Sequence, residues 1–329
     1  MKIPEAVIKI ADDIRVMRIR GASRIAQAAA LGLKIAAERY GGNSVDDFIN
    51  YLTKVKEVLE NTRPTAVSLP NALSYVMSRV FKRYNSGAKL KELIEVTIKA
   101  AEEFVRYSRT ATKRIGEIGA RRIRDGDIIL THCNSSAALS VIIRAFEEGK
   151  NLRVYATETR PKFQGYITAK TLYERGINVT LIPDSAVRLI MKKVDRVFVG
   201  ADAVAANGAV VNKIGTSLIA LAAHEARVNF FVAAETYKFS PTTVIGGLVE
   251  IEERSPLEVV SEEFLKATRN VIVRNPAFDV TPPEYIDAII TERGVIPPQA
   301  AIIILKEEYG WALKDYMLRV TSEMEEVSL

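Results

Sequence analysis

A thiol and a carboxylate, each at the end of an apolar run, are the residues of this chain best suited to move a proton. Cys133, the single cysteine among 329 residues, follows Asp127-Ile128-Ile129-Leu130-Thr131-His132 and precedes Asn134-Ser135-Ser136. Asp202 follows Val197-Phe198-Val199-Gly200-Ala201. Both runs read as buried strands, and in open α/β sheets the carboxyl ends of such strands converge on a ligand-binding crevice. A thiol and a carboxyl delivered there from two strands make an acid–base pair. A predicted helix follows Cys133, and its dipole and unpaired amides are expected to lower the thiol's pKa until thiolate forms near neutrality. Taken alone, Cys133 reads as well as a small buried hydrophobe, and Asp202 as a loop aspartate or helix cap. Position at the strand ends is what favours chemistry.

Other strand ends carry polar groups too. Ser135 and Ser136 offer hydroxyls and amides to a phosphate or sugar oxygen. Asn207-Gly208 is a hairpin-type turn, and beyond it Asn212 and Lys213 precede Gly215-Thr216 at another predicted helix start. An amide, an ammonium and a Gly-Thr turn suit a hydroxylated, phosphorylated ligand. Glu158-Thr159-Arg160-Pro161 with Gln164-Gly165 occupies a third strand end, and Glu235-Thr236-Tyr237-Lys238-Phe239 a fourth. One shared site accounts for these better than separate solvated loops. Near the start, Arg20-Gly21-Ala22-Ser23 joins two predicted helices. Gly21 admits close backbone approach, Ser23 is expected to cap the next helix, and Arg20 is suited to a bidentate grip on phosphate. A plain joint between helices explains the same residues. His132 reads as structural and His224 as packed or exposed; two histidines without cysteine or glutamate spacing argue against a metal site. Dinucleotide, Walker and Gly-x-Ser-x-Gly motifs are absent.

These residues need a scaffold, and the sequence describes one. Residues 5–124 read as almost wholly helical, with Gly41-Gly42-Asn43-Ser44 as a stop followed by an N-cap. After the turn Asp125-Gly126-Asp127, strands near 127–131, 152–157, 178–182, 196–200 and 229–233 alternate with helices near 136–148, 163–175, 185–193 and 215–227. That alternation predicts a parallel sheet with right-handed crossovers. The expected α/β architecture is a helical domain over residues 1–124 and a Rossmann-like domain over 125–329, with further short strands in 270–305 and a helical, then acidic, tail from Tyr309.

With 48% hydrophobic and 26% charged residues, the chain is expected to be soluble and to bury a sizeable core. One cysteine excludes an internal disulfide framework and fits a reducing compartment. Met1-Lys2-Ile3-Pro4-Glu5 is unlike a signal peptide, and no run of 18 uncharged apolar residues occurs, so a cytoplasmic protein without a membrane span is expected. The net charge of +6 suits a multiply phosphorylated small molecule as well as nucleic acid. The densest basic cluster, Lys113-Arg114 to Arg121-Arg122-Ile123-Arg124, reads as a solvated helix face or a subunit contact rather than an RNA patch.

Thr131-His132-Cys133-Asn134, Glu158-Thr159-Arg160-Pro161, Val199-Gly200-Ala201-Asp202, Asn212-Lys213-Ile214-Gly215-Thr216 and Asn275-Pro276-Ala277-Phe278-Asp279-Val280-Thr281-Pro282 together resemble one superfamily. It holds the methylthioribose-1-phosphate isomerases, the regulatory subunits of eukaryotic translation initiation factor 2B, and the archaeal ribose-1,5-bisphosphate isomerases. The resemblance runs from about Arg20 to Val295. It implies Cys133 and Asp202 as the catalytic pair, which the initiation-factor subunits generally lack. The stretch Glu235–Phe239, with Ser23, Ser135 and Ser136, departs from the methylthioribose enzymes and suits a second phosphate. The combination is similar to the ribose-1,5-bisphosphate isomerases. That implies conversion of ribose 1,5-bisphosphate to ribulose 1,5-bisphosphate in nucleoside monophosphate degradation, without metal or redox cofactor. It implies Arg20, Gly21, Ala22, Ser23, Arg63, Ser135, Ser136, Gln164, Asn212, Lys213 and Lys238 as substrate-binding residues. It also implies a homo-oligomer built from dimers, often a hexamer. The rival readings are a methylthioribose-1-phosphate isomerase and a non-catalytic regulatory subunit.

Overall fold

Five helices open the chain in the computed structural model, which describes residues 2–63 and 65–310. They are α1 (Glu5–Arg15), α2 (Ala22–Glu38), α3 (Val45–Glu60), α4 (Ser68–Asn85) and α5 (Leu90–Ala120). Ser44 caps α3 by accepting the Asp47 N–H at 3.2 Å. The small residues of α2 bury Ile25, Ala26, Ala29, Ala30, Leu33, Ala36 and Ala37 on one stripe, which lets neighbouring helices approach closely. Among the described residues no helix is long and apolar enough to cross a membrane.

The chain divides into two compact units, one ending at Ala111 and the other starting at Thr112. The division falls inside α5, not at the turn near residue 125 where helix gives way to strand. Ile115, Ala120 and Ile123 explain this: they belong to the apolar cluster on one face of the sheet in the second unit.

In the second unit, β1 (Ile128–Thr131), α6 (Ser136–Glu147), β2 (Arg153–Thr157), α7 (Gln164–Tyr173), β3 (Asn178–Ile182), α8 (Val187–Ile190) and β4 (Arg196–Gly200) follow in turn. The chain continues through β5 (Ala203–Val204), β6 (Val210–Lys213), α9 (Thr216–Ala226), β7 (Asn229–Ala233), α10 (Glu262–Ala267), β8 (Phe278–Thr281), β9 (Ala288–Thr291) and β10 (Gly294–Ile296). Residues 301–310 are helical, and the expected acidic tail lies outside the described residues. The helix expected over 185–193 is broken into two 3-10 turns around α8. Val187 and Met191 are buried in the core there, with Ala186 and Ile190 packed partly buried against it.

The main sheet runs β10-β9-β7-β4-β1-β2-β3. Its pairings are parallel except for β10 on β9. Central strands are buried on both faces, which explains their uninterrupted apolar sequences. The interior strands reverse direction of progression at β1: β2 and β3 lie to one side of it, and β4 and β7 to the other. The crevice between β1 and β4 is therefore the topological switch point of the sheet, where doubly wound folds bind their ligands.

A second, antiparallel sheet, β5-β6-β8, stands beyond the carboxyl end of β4. The Asn207-Gly208 turn builds its hairpin, with Ala205 N–H donating to Ala209 O at 2.8 Å and Ala209 N–H to Asn207 Oδ1 at 3.0 Å. This small sheet carries Asn212 and Lys213 to the same end as Asp202.

Candidate active site

Cys133 and Asp202 leave neighbouring strands at the switch point. In the parallel register Thr131 lies beside Phe198, so the two chains run on together towards Cys133 and Gly200. Their closeness beyond the strands is direct. A Cβ on Gly200 would stand 2.2 Å from Ser135 Oγ and 2.5 Å from Ser135 Cβ. Glycine is required because β4 passes against the residue that caps α6, where Ser135 Oγ accepts the Ala138 N–H at 3.3 Å. Gly200→Ala is expected to lower stability by about 1–3 kcal/mol through overpacking, with most of the loss recovered by adding Ser135→Gly. Thermal unfolding of the single and double variants checks this.

The helix after Cys133 begins at Ser136, where the sequence places it, but Cys133 stands ahead of its cap rather than at the helix amino end. The first residue of α6 is Ser136 and its cap is Ser135. Cys133 instead takes a left-handed conformation, φ 66°, uncommon for a residue with a side chain. Two threonines hold it there: its N–H donates to Thr159 Oγ1 at 2.9 Å, and its carbonyl accepts the Thr168 hydroxyl at 2.7 Å. Asp184 anchors that loop in turn, accepting the N–H groups of Thr159 at 2.8 Å and Arg160 at 2.7 Å.

The expected lowering of the thiol is reversed. Cys133 keeps some exposed surface, yet burial pushes its thiol up to about 11. Lys213 and Arg254 pull it down, while the negative charge of Asp202 pushes it further up. A helix dipole fades within its first turn and cannot offset lost water two residues away. The resting pair is therefore a protonated thiol beside Asp202.

Asp202 N–H donates to Val211 O at 2.9 Å, which opens the hairpin leading to Asn212 and Lys213. Asn212 Nδ2 donates to Thr216 Oγ1 at 3.0 Å. Lys213 is 5% exposed and its ammonium donates to Ala277 O at 2.7 Å. Burial lowers its pKa, and Arg254 adds to the lowering. The amino end of α9 is occupied by the chain itself: Asp279 accepts from Gly215 N–H at 2.7 Å and Ser217 N–H at 3.1 Å. Burial raises the Asp279 carboxyl to about 6 despite these bonds.

Gln164 opens α7 one turn before Thr168, on the face that holds Cys133. Its Oε1 is buried and has no hydrogen-bond partner among the described residues. The next residue is glycine because a Cβ on Gly165 would lie 1.7 Å from Thr157 O. Ser136 is exposed at the start of α6. Lys238, after β7, is buried and paired with Glu235 at 2.7 Å, while Glu235 also accepts the Thr112 hydroxyl at 3.1 Å.

Arg20, Gly21, Ala22, Ser23 and Arg63 belong to the other compact unit. There, Gly21 (φ 89°) is the N-cap of α2, and no side chain caps that helix end. Ser23 is thus the second residue of α2, not its cap as the sequence reading had it. Gly21 takes the cap position because the chain turns there through a positive φ that serine tolerates poorly. Among the described residues no three His, Cys, Asp or Glu side chains gather as a metal site requires.

His132 is structural. Nε2 meets Ile214 O at 2.9 Å and Nδ1 meets Thr157 Oγ1 at 2.6 Å, an arrangement that uses the neutral ring once as donor and once as acceptor. Burial lowers its pKa to about 4. A base depressed in the folded state resists protonation that the unfolded chain accepts, so stability is lost as pH falls from about 6.5 towards 4. His132→Gln is expected to flatten the stability profile across that window, as read by urea unfolding at pH 7 and pH 5.

Arg254 is the charged neighbour of Cys133 that the sequence did not single out. It lies in the segment between β7 and β8 with no strand or motif to mark it. Its only sequence signal is the run Glu252-Glu253-Arg254, which reads as an ordinary solvated charge cluster.

The chain's residues 18–298 match the model of the Initiation factor 2 subunit family (IF-2B). It is 56% identical over 315 residues to ribose 1,5-bisphosphate isomerase of Thermococcus kodakarensis, covering 95% of this chain and 98% of the relative. Among solved structures, the translation initiation factor eIF-2B of Pyrococcus horikoshii OT3 superposes with a TM-score of 0.77 at 34% identity, covering 91% of this chain and 99% of that one. The 5-methylthioribose 1-phosphate isomerase of the same organism gives 0.74 at 34% identity, covering 92% and 87%. The match over residues 18–298 and the identity across nearly the whole length place the protein: the chain belongs to the Initiation factor 2 subunit family, among its isomerases.

Proposed function

We propose that this isomerase converts ribose 1,5-bisphosphate to ribulose 1,5-bisphosphate, with Cys133 and Asp202 as the proton-transfer pair. The observation that carries this reading is their delivery from β1 and β4 to the two sides of the switch point, with Lys213 beside them. Phosphorylation at O1 prevents the sugar ring from opening on its own, so the enzyme must break the C1–O4 bond. The Cys133 proton first passes to Asp202; Asp202 then donates a proton to O4 as that bond breaks, and the Cys133 thiolate takes the proton from C2. The product of this step is an open-chain enol carrying the phosphate on C1. Asp202 then takes the proton from O2, Cys133 returns its proton to C1, and the C2 carbonyl forms. Both groups end as they stood after that first transfer, so no redox cofactor enters the balance.

Gln164 Oε1 is suited to accept a sugar hydroxyl, while Ser135, Ser136, Asn212 and Lys213 are suited to phosphate and hydroxyl oxygens. The same role is proposed for Arg20, Gly21, Ala22, Ser23 and Arg63 on the family resemblance, and Arg20→Ala is the variant whose KM addresses it. Assembly from dimers, a cytoplasmic location and a place in nucleoside monophosphate breakdown are proposed on the same ground. Turnover of ribose 1,5-bisphosphate, read by a ribulose-bisphosphate carboxylase coupled to the reaction, tests the substrate. Methylthioribose 1-phosphate in a parallel assay separates the sister activity. A chain that turns over neither compound fits the non-catalytic reading and ends this one.

A further inference from the structure

Two cations share one aromatic ring beside the thiol. Lys213 Nζ lies 4.6 Å from the centroid of Phe278, and the Arg254 guanidinium carbon lies 5.9 Å from it. Both are largely buried: Lys213 is 5% exposed, and the Arg254 side chain 12%. Among the described residues no carboxylate stands within ion-pair distance of Lys213, and only one of its three ammonium donors has a partner, Ala277 O. Arg254 makes one side-chain bond, from Nε to Glu252 Oε1 at 2.9 Å, which leaves the rest of its donor fork without a protein partner among the described residues. Two buried cations side by side with so few acceptors repel one another, and an anion between them relieves the cost.

Backbone pairing holds Arg254 in this place. Its N–H donates to Asn275 O at 3.0 Å, Ala277 N–H donates to Glu252 O at 2.8 Å, and Glu253 bridges Pro276 in antiparallel fashion. The strand so engaged runs straight into β8, where Phe278 lies opposite Lys213 on β6. Arg254 and Lys213 thus belong to one ladder, and the charge of Arg254 is felt at both Cys133 and Lys213.

We propose that Arg254 is a phosphate-binding residue of the Cys133–Asp202 site, forming with Lys213 an anion pocket against Phe278. Glu252 holds the guanidinium until a phosphate displaces it. That the phosphate is borne by a sugar bisphosphate rests on the function proposed above; the pocket itself does not. Its cations also favour the thiolate, so the group that binds the substrate's charge prepares the base.

The lone cysteine makes the test site-specific. In the full-length protein, alkylation of Cys133 by iodoacetate, an anion, is compared with alkylation by neutral iodoacetamide, with and without inorganic phosphate. Arg254→Met is expected to lower the iodoacetate-to-iodoacetamide rate ratio by about tenfold and to weaken protection by phosphate, whereas Arg254→Lys keeps most of both. Glu252→Gln frees the guanidinium and is expected to bring protection at lower phosphate concentration. An unchanged ratio and unchanged protection in folded Arg254→Met overturns the proposal. If that variant does not fold, unchanged protection in Glu252→Gln overturns it. Alkylation needs no turnover, so a pocket that responds in a protein inactive on ribose 1,5-bisphosphate removes only the substrate reading. Turnover with a KM indifferent to Arg254→Met and an unmoved ratio removes only the pocket.

Discussion

Cys133→Ser and Asp202→Asn are each expected to lower kcat on ribose 1,5-bisphosphate by about 10³-fold or more, while sugar bisphosphate still binds. A serine hydroxyl is too weak an acid to supply a base at neutral pH, and an asparagine amide, though it can donate a hydrogen bond, is too weak an acid to protonate the ring oxygen. The double variant is expected to be little worse than either single one, because the two groups act in one proton exchange and fail as a unit. Turnover by the coupled assay and binding by calorimetry are the measurements. A rate near wild type in either single variant removes the proposed roles.

The pH dependence of the thiol gives this an independent handle. With Cys133 pushed up to about 11, its alkylation by iodoacetamide is expected to rise steadily from pH 7 to pH 10 without a plateau. In Asp202→Asn the opposing carboxylate charge is gone, so the rise begins at lower pH. A plateau near pH 8 in the wild type would restore the helix-dipole picture of a thiolate already formed at rest.

Lys238→Ala is expected to destabilise the protein by about 3–5 kcal/mol, because it leaves the fully buried Glu235 without its cation at 2.7 Å. Removing both charges together, as Lys238→Met with Glu235→Gln, is expected to recover most of that loss. Urea unfolding of the three proteins measures it, and a Lys238→Ala chain as stable as wild type contradicts it. The pair also bears on how Lys238 is assigned to a phosphate. A lost activity in Lys238→Ala alone mixes unfolding with binding, whereas the double variant separates them. If the double variant keeps its KM for ribose 1,5-bisphosphate, Lys238 is a structural cation and the second phosphate is held elsewhere.

The parallel strands were legible because each is a short apolar run closed by polar residues, a local pattern that burial on both faces imposes. The hairpin at Asn207-Gly208 and the cap at Ser44 were legible for the same reason, since their geometry depends on two to four successive residues. So was the placement of Cys133 and Asp202 just beyond strand ends, whereas the sheet's topology is what makes those two strands neighbours.

What sequence order left open are quantities set by packing at a distance. The thiol's acidity depends on how much water the surroundings remove, and that cost exceeds what the dipole of a helix capped two residues further on returns to Cys133. Ser23 lost the cap of α2 to Gly21 because the turn needs a positive φ, a property of the path between helices. The division between units moved into α5 because the end of one long helix buries its apolar side against the sheet. Arg254 carries no motif at all and reaches the site only because residues 252–254 pair with residues 275–277 across a long loop. Residue types and strand ends are written one after another along the chain. Desolvation and charge fields, in contrast, are sums over neighbours that only folding brings together.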